Sequence, residues 1–302
     1  EEFIMTENEK QYSYIGAKKV NDSVFVSLVD FVNTEIQIGT TNSGEKVASF
    51  SMALKNTNKR LTGLFGDAAA PETLWVQVSG YNSGKVTLAD RMEKAIRKGQ
   101  RVAVTGFVTK KLDSKGETHY NMSLRDFAIV YYPASDGREK RNAIPSKYSF
   151  VSGVKVSDNR ATLAFIGYVG SDARVYTDQN GKEAISISVA LNQTGSKVTY
   201  PLGIEGSAPE TLWLSVSIND SDKYQQVSRA KEILKKGTPF FGIGDVIAKQ
   251  GDDGRTFYNL FLDNFNVLPR ATKTEQQPVG AGVGASEAMT ASSEIEDDDL
   301  PF

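Results

Sequence analysis

The chain has 302 residues, 39% hydrophobic and 10% aromatic, with a formal net charge of −2, no cysteine and one histidine. That length suits two domains of ordinary size, and the composition supplies apolar surface for packed cores. The lack of cysteine excludes disulfides, thiolate zinc sites and cysteine nucleophiles; His119 has neither a second histidine to share a metal nor the serine-plus-acid context of a triad, and it reads as a solvated strand residue.

No apolar run approaches the roughly 20 residues of a membrane span. Residues 1–10 are acidic and lack the basic and apolar regions of a signal peptide, so a cytoplasmic, nucleoid-associated protein away from membranes is expected. The charge is uneven. Residues 271–302 hold one Lys against seven acids, residues 12–133 hold 16 basic and 11 acidic side chains, and residues 148–270 hold 13 of each. The first half is therefore the cationic one, and cationic surface attracts polyanions.

In chain order, Tyr12-Ser13-Tyr14 opens a first unit. Phe50, Met52 and Leu54 alternate with small polar partners, and Leu74, Val76 and Val78 alternate with Trp75, Gln77 and Ser79, both with the period of two that marks a strand. The period then changes: Val86, Ala89, Met92 and Ile96 follow helical spacing, and Gly99 stands where a helix cap is expected. Residues 102–108 and 118–127 read as two further strands joined by the turn Asp113-Ser114-Lys115-Gly116.

The same order then repeats. Ala70-Pro71-Glu72-Thr73-Leu74-Trp75 recurs letter for letter from Ala208 to Trp213, and Lys98-Gly99, Gly106, Tyr120-Asn121 and Phe127 meet Lys236-Gly237, Gly244, Tyr258-Asn259 and Phe265 at the same offset. The second helix is read over Val227, Ala230 and Ile233 or Leu234. A repeated unit of this length is a duplicated domain rather than a solenoid repeat. Three strands, a helix and two strands suit the OB-fold, whereas a small barrel of the SH3 type lacks the helix. The expected class is all-β: two tandem OB-folds, each a five-stranded Greek-key barrel with one helix between strands three and four. The first spans residues 12–133, a linker 134–147, the second 148–270. A structureless stretch follows over 271–293, too poor in large apolar groups to offset its ordering entropy, and then an acidic tip over 294–302.

Alternation also places the tryptophans. With Leu74, Val76 and Val78 facing the core, Trp75 and Tyr81 stand with Gln77 and Ser79 on a polar face, and Trp213 stands likewise with Ser215 and Ser217. Aromatic rings on a polar sheet are platforms on which unpaired bases of any sequence stack. Rings that cap a barrel end or pack between barrels are the structural alternative. Lys55, Lys59, Arg60, Lys85, Lys110, Lys111 and Lys115 lie on the connections after strands two, three and four, where they meet phosphates in this reading. In the second copy Trp213, Lys249 and Phe257 remain, whereas Asn219 replaces Tyr81 and the turn carries Asp252 and Asp253.

The run Trp75-Val76-Gln77-Val78-Ser79-Gly80-Tyr81, the helix, and Lys98-Gly99-Gln100-Arg101-Val102 through Gly106 together resemble the OB domain of bacterial single-stranded DNA-binding proteins. The end of the chain, Asp297-Asp298-Asp299-Leu300-Pro301-Phe302, is similar to that family's acidic tip, and two OB domains in one chain look like the variant of the Deinococcus-Thermus group. The resemblance implies a non-enzymatic, cofactor-free coat for single-stranded DNA in replication, recombination and repair. It also implies a homodimer presenting four barrels. Phe302 would enter an apolar pocket on helicases, nucleases, recombination mediators or polymerase subunits while the aspartates meet a basic rim. Leu112 and Gln250 depart from the pattern, standing where a further stacking aromatic is expected. The rival readings are an RNA-binding OB protein and an adaptor whose barrels bind proteins. A carboxylate metal nuclease is disfavoured, because the acids cluster in turns and tail rather than on facing strands.

Overall fold

The computed structural model describes residues 13–55, 59–132, 141–142, 149–220 and 225–268. The tail 271–293, the tip with Asp297, Asp298, Asp299, Leu300, Pro301 and Phe302, and most of the segment 134–147 lie outside these residues.

The first barrel contains β1 (Tyr14–Val20), β2 (Ser23–Phe31), β3 (Gln37–Thr40), β4 (Lys46–Lys55), β5 (Thr73–Ser83), β6 (Val86–Thr87), α1 (Leu88–Ala95), β7 (Arg101–Leu112) and β8 (Thr118–Tyr132), with β9 (Arg141–Asn142) paired to the end of β8. The second contains β10 (Phe150–Ser157), β11 (Arg160–Val169), β12 (Arg174–Thr177), β13 (Glu183–Asn192), α2 (Gly195–Thr199), β14 (Thr211–Asn219), α3 (Val227–Ile233), β15 (Pro239–Gln250) and β16 (Thr256–Val267). In spatial order the strands run β1-β2-β7-β8-β5-β4-β3 and β10-β11-β15-β16-β14-β13-β12. Strands three and five of each barrel, β5 with β8 and β14 with β16, are the parallel pairs. A bridge between Val32 and Met52 closes the first barrel, and pairing of Tyr168 and Val169 with Ala190 and Val189 closes the second. A closed Greek key of five strands with a helix after the third is the OB-fold, here twice in tandem. Each barrel also carries strands absent from the five-strand expectation: β1 and β10 as hairpin partners of the first barrel strand, and the short edges β3 and β12.

Alternation fills the interiors. Phe50, Met52, Leu54, Leu74, Val76 and Val78 are buried against Val102, Val104 and Met122, and α1 plugs one end with Leu88, Ala89 and Met92. The glycines common to both repeats have packing reasons. A Cβ at Gly106 or Gly244 would overlap the carbonyl oxygen of Ser123 or Phe261 beside the bulge in each fifth strand, where Arg125 or Asp263 is the extra residue.

Two details differ from the periodicity reading. Val86 sits on β6 and is exposed, and the helix begins at Leu88. Gly99 does not cap that helix, which ends at Ala95 with Ile96 as its C-cap. It adopts φ 84° and donates its N–H to the Val32 carbonyl, as Gly237, at φ 80°, does to Val169. The shared Lys-Gly pair is thus a left-handed turn tying the helix exit to the first barrel strand.

The barrels pack back to back through the extra strands. Tyr14, Val29, Ala103, Ala128 and Val130 meet Phe150, Ile166, Phe241 and Leu268 in one buried cluster; Val20 and Phe25 meet Ala164 and Ile243 in another. The Tyr14 and Phe241 rings sit edge to face, 4.3 Å between centroids. Gly16 is required here, because a Cβ would stand 2.6 Å from Ile243 Cγ2. Polar ties finish the seam. Asn264 Nδ2 donates to the Ile15 carbonyl at 2.8 Å, and Lys18 bridges Asp263 and Asp245 at 2.6 and 3.0 Å. Burial opposes ionisation of Asp245, but Arg160, Thr162 and Lys18 together hold its pKa below the usual carboxylate value; burial raises that of Asp263. A lowered folded pKa contributes stability above about pH 4 that is lost as the pH falls through the folded value.

Lys18→Met is therefore expected to cost about 2 kcal/mol at neutral pH, the low end for a truncated buried pair because Arg160 remains on Asp245. The loss should shrink towards pH 4 as Asp263, whose pKa is raised, takes a proton. Thermal melts of both proteins at several pH values check this, and a pH-independent difference would show that Lys18 contributes only its stem.

Candidate nucleic-acid interface

Back-to-back packing covers the outer surfaces of β1, β2, β10 and β11 and the C-terminal halves of β8 and β16, and it leaves the outward side of β4, β5, β13 and β14 and of the first halves of β8 and β16 open. On the first barrel that side is arranged in rows across the strands. Ala53 pairs with Trp75, His119 follows in register on β8, and Lys111 pairs with His119. The next rows are Ser51, Gln77, Asn121 and Thr109, then Ser49, Ser79, Ser123 and Phe107. Tyr81 stands one further row along, opposite Val47. Trp75 is 56% exposed, between Ala53 and His119 and next to the polar row of Ser51, Gln77 and Asn121. Six residues at about 3.3 Å each separate Trp75 and Tyr81 by roughly 20 Å along β5.

The second barrel repeats the rows with different side chains. Ala190, Trp213, Phe257 and Lys249 form the first, and Ser186, Ser217 and Phe261 lie two rows on. Trp213 is 54% exposed, Phe257 51% and Phe261 47%. Trp213 lies against Gly170, where a Cβ would overlap the indole ring; Asn33 holds the matching place in the first barrel. Neither tryptophan packs between the barrels. Phe261 is absent from the sequence expectation, although it continues the alternation of Phe257 and Asn259 on the polar side of a strand whose other side, Leu260 and Leu262, is buried.

The cations divide by environment. Lys55 ends β4 on the Trp75 side, Lys85 stands in the turn after β5 at the Tyr81 end, and Lys59, Lys111 and Lys115 are exposed. Arg60 is half-buried at the start of the turn beyond β4. Lys110 is different: its ammonium is taken by Asp67, which also accepts from the Tyr120 hydroxyl and whose pKa is lowered by those two partners. Its charge is already neutralised within the protein. Lys249 is exposed beside Phe257.

His119 is exposed on β8, with a ring nitrogen 3.1 Å from Asp113 Oδ2. Asp113, Glu117 and His119 bring ligand atoms within 4.8 Å of one another. The other Asp113 oxygen accepts the backbone N–H groups of Lys115 and Glu117 at 2.8 and 2.9 Å. The His119 ring and the Glu117 N–H hold the Asp113 carboxyl below its usual pKa. The cluster is the hydrogen-bonding of a tight turn, and its Asp113 oxygens are occupied by it.

No protein-family model matches the sequence, and no curated protein sequence matches it. Among solved structures the chain is similar to the wild-type single-stranded DNA binding protein from Thermus aquaticus, at 13% identity and a TM-score of 0.26, covering 90% of this chain and 98% of that one. It is also similar to a small single-stranded DNA-binding protein from Streptomyces coelicolor, at 16% identity and a TM-score of 0.28, covering 36% and 94%. A third is the mitochondrial single-stranded DNA binding protein Rim1 of S. cerevisiae, at 17% and 0.26, covering 36% and 95%. The fold assignment rests on strand order and register, not on these superpositions.

Gly170→Ala, made in a Trp75→Phe background so that only Trp213 emits, should lift the indole from its seat. Greater quenching by acrylamide is expected, with stability changed by less than about 1 kcal/mol because the ring is already half exposed. Unaltered quenching would mean the ring does not rest on Gly170.

Proposed function

We propose that this chain is a member of the single-stranded DNA-binding family that its motifs resemble, and that it binds single-stranded DNA by stacking bases on the outward faces of both barrels. The observation that carries the reading is that the tryptophan of each third strand stands half exposed on a polar face, in the same row position in both copies. Each ring keeps more than half of its surface in water, although Trp213 rests on Gly170, and the neighbours Ser51, Gln77, Asn121 and Ser215 are small or polar enough to admit a base. Trp75 and Tyr81 stack bases in the first barrel, Trp213, Phe257 and Phe261 in the second. Lys55, Lys59, Arg60, Lys85, Lys111, Lys115 and Lys249 meet phosphates, and Lys110 contributes least because Asp67 holds it.

Stacking is sequence-tolerant, since every base offers a π-face, so the protein coats strands of any sequence. In the proposal this is a non-enzymatic coat serving replication, recombination and repair. Two chains pair to present four barrels, and the Leu300-Pro301-Phe302 tip recruits the enzymes that work on the coated strand.

Titrating intrinsic fluorescence with oligo-dT tests the binding. Saturable quenching is expected, with Trp75→Ala and Trp213→Ala each weakening binding by about 1–3 kcal/mol. Lys111→Gln should lower the slope of log affinity against log salt by about 0.7, the single-strand value for one phosphate contact, and Lys110→Gln by less. No quenching at low salt would overturn the reading in favour of a protein-binding adaptor, and preference for a matched RNA oligomer would move the substrate to RNA.

A further inference from the structure

A cleft of about 380 Å³ opens between the barrels, lined by Arg125 and Asp126 of β8, Ser152 and Gly153 of β10, and Lys197 and Tyr200 of the second barrel. That volume falls in the range that admits a nucleotide-sized group. Its two walls carry unequal features. Tyr200 is 86% exposed, the most open of the large apolar and aromatic side chains among the described residues. Opposite it, Arg125 is exposed and makes no ion pair among the described residues; its guanidinium lies 5.8 Å from the centre of the Phe107 ring. Asp126 is the cleft's carboxylate, and it is neutralised by Lys197 at 2.6 Å and Arg91 at 3.2 Å. The free charge facing the opening is therefore the Arg125 cation.

Arg125 is the extra residue of a bulge in β8, unpaired between Leu124 and Asp126, and it is exposed like Ser123, the residue at which pairing with β5 ends. Two residues beyond Ser123 on the first barrel's face, β8 thus enters the lining of the cleft at Arg125.

The duplication supplies an internal comparison. Gly66 and Gly203 are both left-handed and donate back to Gly63 and Tyr200, while Asp67 and Ile204 donate to Thr62 and Thr199, so Gly63 matches Tyr200. Leu124 and Leu262 pair with Gly106 and Gly244, so Asp263 matches Arg125. The matching positions therefore hold a glycine, Gly63, and an aspartate, Asp263, tied to Lys18 at 2.6 Å. A structural role inherited by both copies does not account for Tyr200 and Arg125.

We propose that this cleft is a nucleotide-binding bridge: Arg125 holds a phosphate and Tyr200 stacks a base where one DNA strand crosses from the first barrel's face to the second barrel. The proposal rests on the stacking reading above and adds the path between barrels. The strand leaves the first face past Ser123, passes Arg125 and Tyr200, and enters the second barrel on one side of the seam only, so the two barrels are filled in a set order along the strand.

The test compares dT oligomers of roughly 8 and roughly 35 nucleotides, the first within the ~4–16 nucleotides of a single OB barrel and the second beyond what two barrels cover. Full-length Tyr200→Ala, Tyr200→Phe and Arg125→Gln are used. Tyr200→Ala is expected to weaken binding of the long oligomer about five- to ten-fold while leaving the short one unchanged, and Tyr200→Phe to keep wild-type affinity because the ring remains. Arg125→Gln should lower the salt slope for the long oligomer by about 0.7 and leave that of the short one alone. Wild-type affinity of Tyr200→Ala for the long oligomer, or an equal loss on both lengths, overturns the bridge. Failure of the wild-type chain to bind either oligomer instead overturns the stacking reading itself.

Discussion

Closure of a small barrel dictates the rest of this molecule. Five strands leave an interior just large enough for side chains, so every second residue of each strand is committed to the core, and the alternate residues are left outward whatever they are. Phe50, Met52, Leu54, Leu74, Val76 and Val78 meet that demand in the first barrel, and Leu212, Leu214 and Val216 in the second. Trp75 and Trp213 are outward because their neighbours are inward. Their rings reach water as a consequence of the same register that holds the barrel together, which is why the face needs no loop to present it.

Outward surface still has to be divided between assembly and binding. The extra strands β1 and β10 perform that division by widening one half of each sheet into an apolar slab. Tyr14 and Phe150, at the start of each, enter the seam, and Gly16 lets the backbones approach. Because that slab is built mainly on the first and fourth barrel strands, the second and third strands keep their polar side open, and the fifth keeps it open over residues 119–123 and 257–261 before it joins the seam. The ion group of Lys18, Asp245, Asp263 and Arg160 adds orientation to a seam whose attraction is mainly apolar.

How far this could be read from sequence follows from the range of each interaction. The duplication, the order of strands and helix, and the outward setting of both tryptophans are local patterns and were legible. Phe261 obeys the same period as Phe257 and was within reach of the same argument. The seam was legible only in part. Runs such as Val24–Val29 and Phe240–Ile243 are apolar on both faces, the mark of a strand covered twice, but nothing in such a run names its cover. Pairing of Lys110 with Asp67, 43 residues away, lay beyond any local pattern, and so did the removal of that lysine from the free cations. Gly99 misled for the opposite reason: a glycine after a helical stretch fits a cap, whereas the chain here needs a left-handed turn to return to Val32.

The two copies differ most where packing constrains them least. Gly106 and Gly244, and Gly99 and Gly237, hold matching backbone geometry because a side chain there would collide or strain. Outward positions away from the seam carry no such penalty, so Ser123 corresponds to Phe261 and Gly63 to Tyr200 at little cost to either fold, whereas Asp263, the counterpart of Arg125, is tied into the seam by Lys18. The result is a separation of forces. The first barrel gathers cations around Trp75 and Tyr81, and the second gathers rings around Trp213. Phosphate contacts weaken as salt releases fewer counterions, whereas stacking does not depend on that release. In the proposed function, a chain with both kinds of face keeps part of its hold on the strand at salt concentrations that weaken the phosphate contacts.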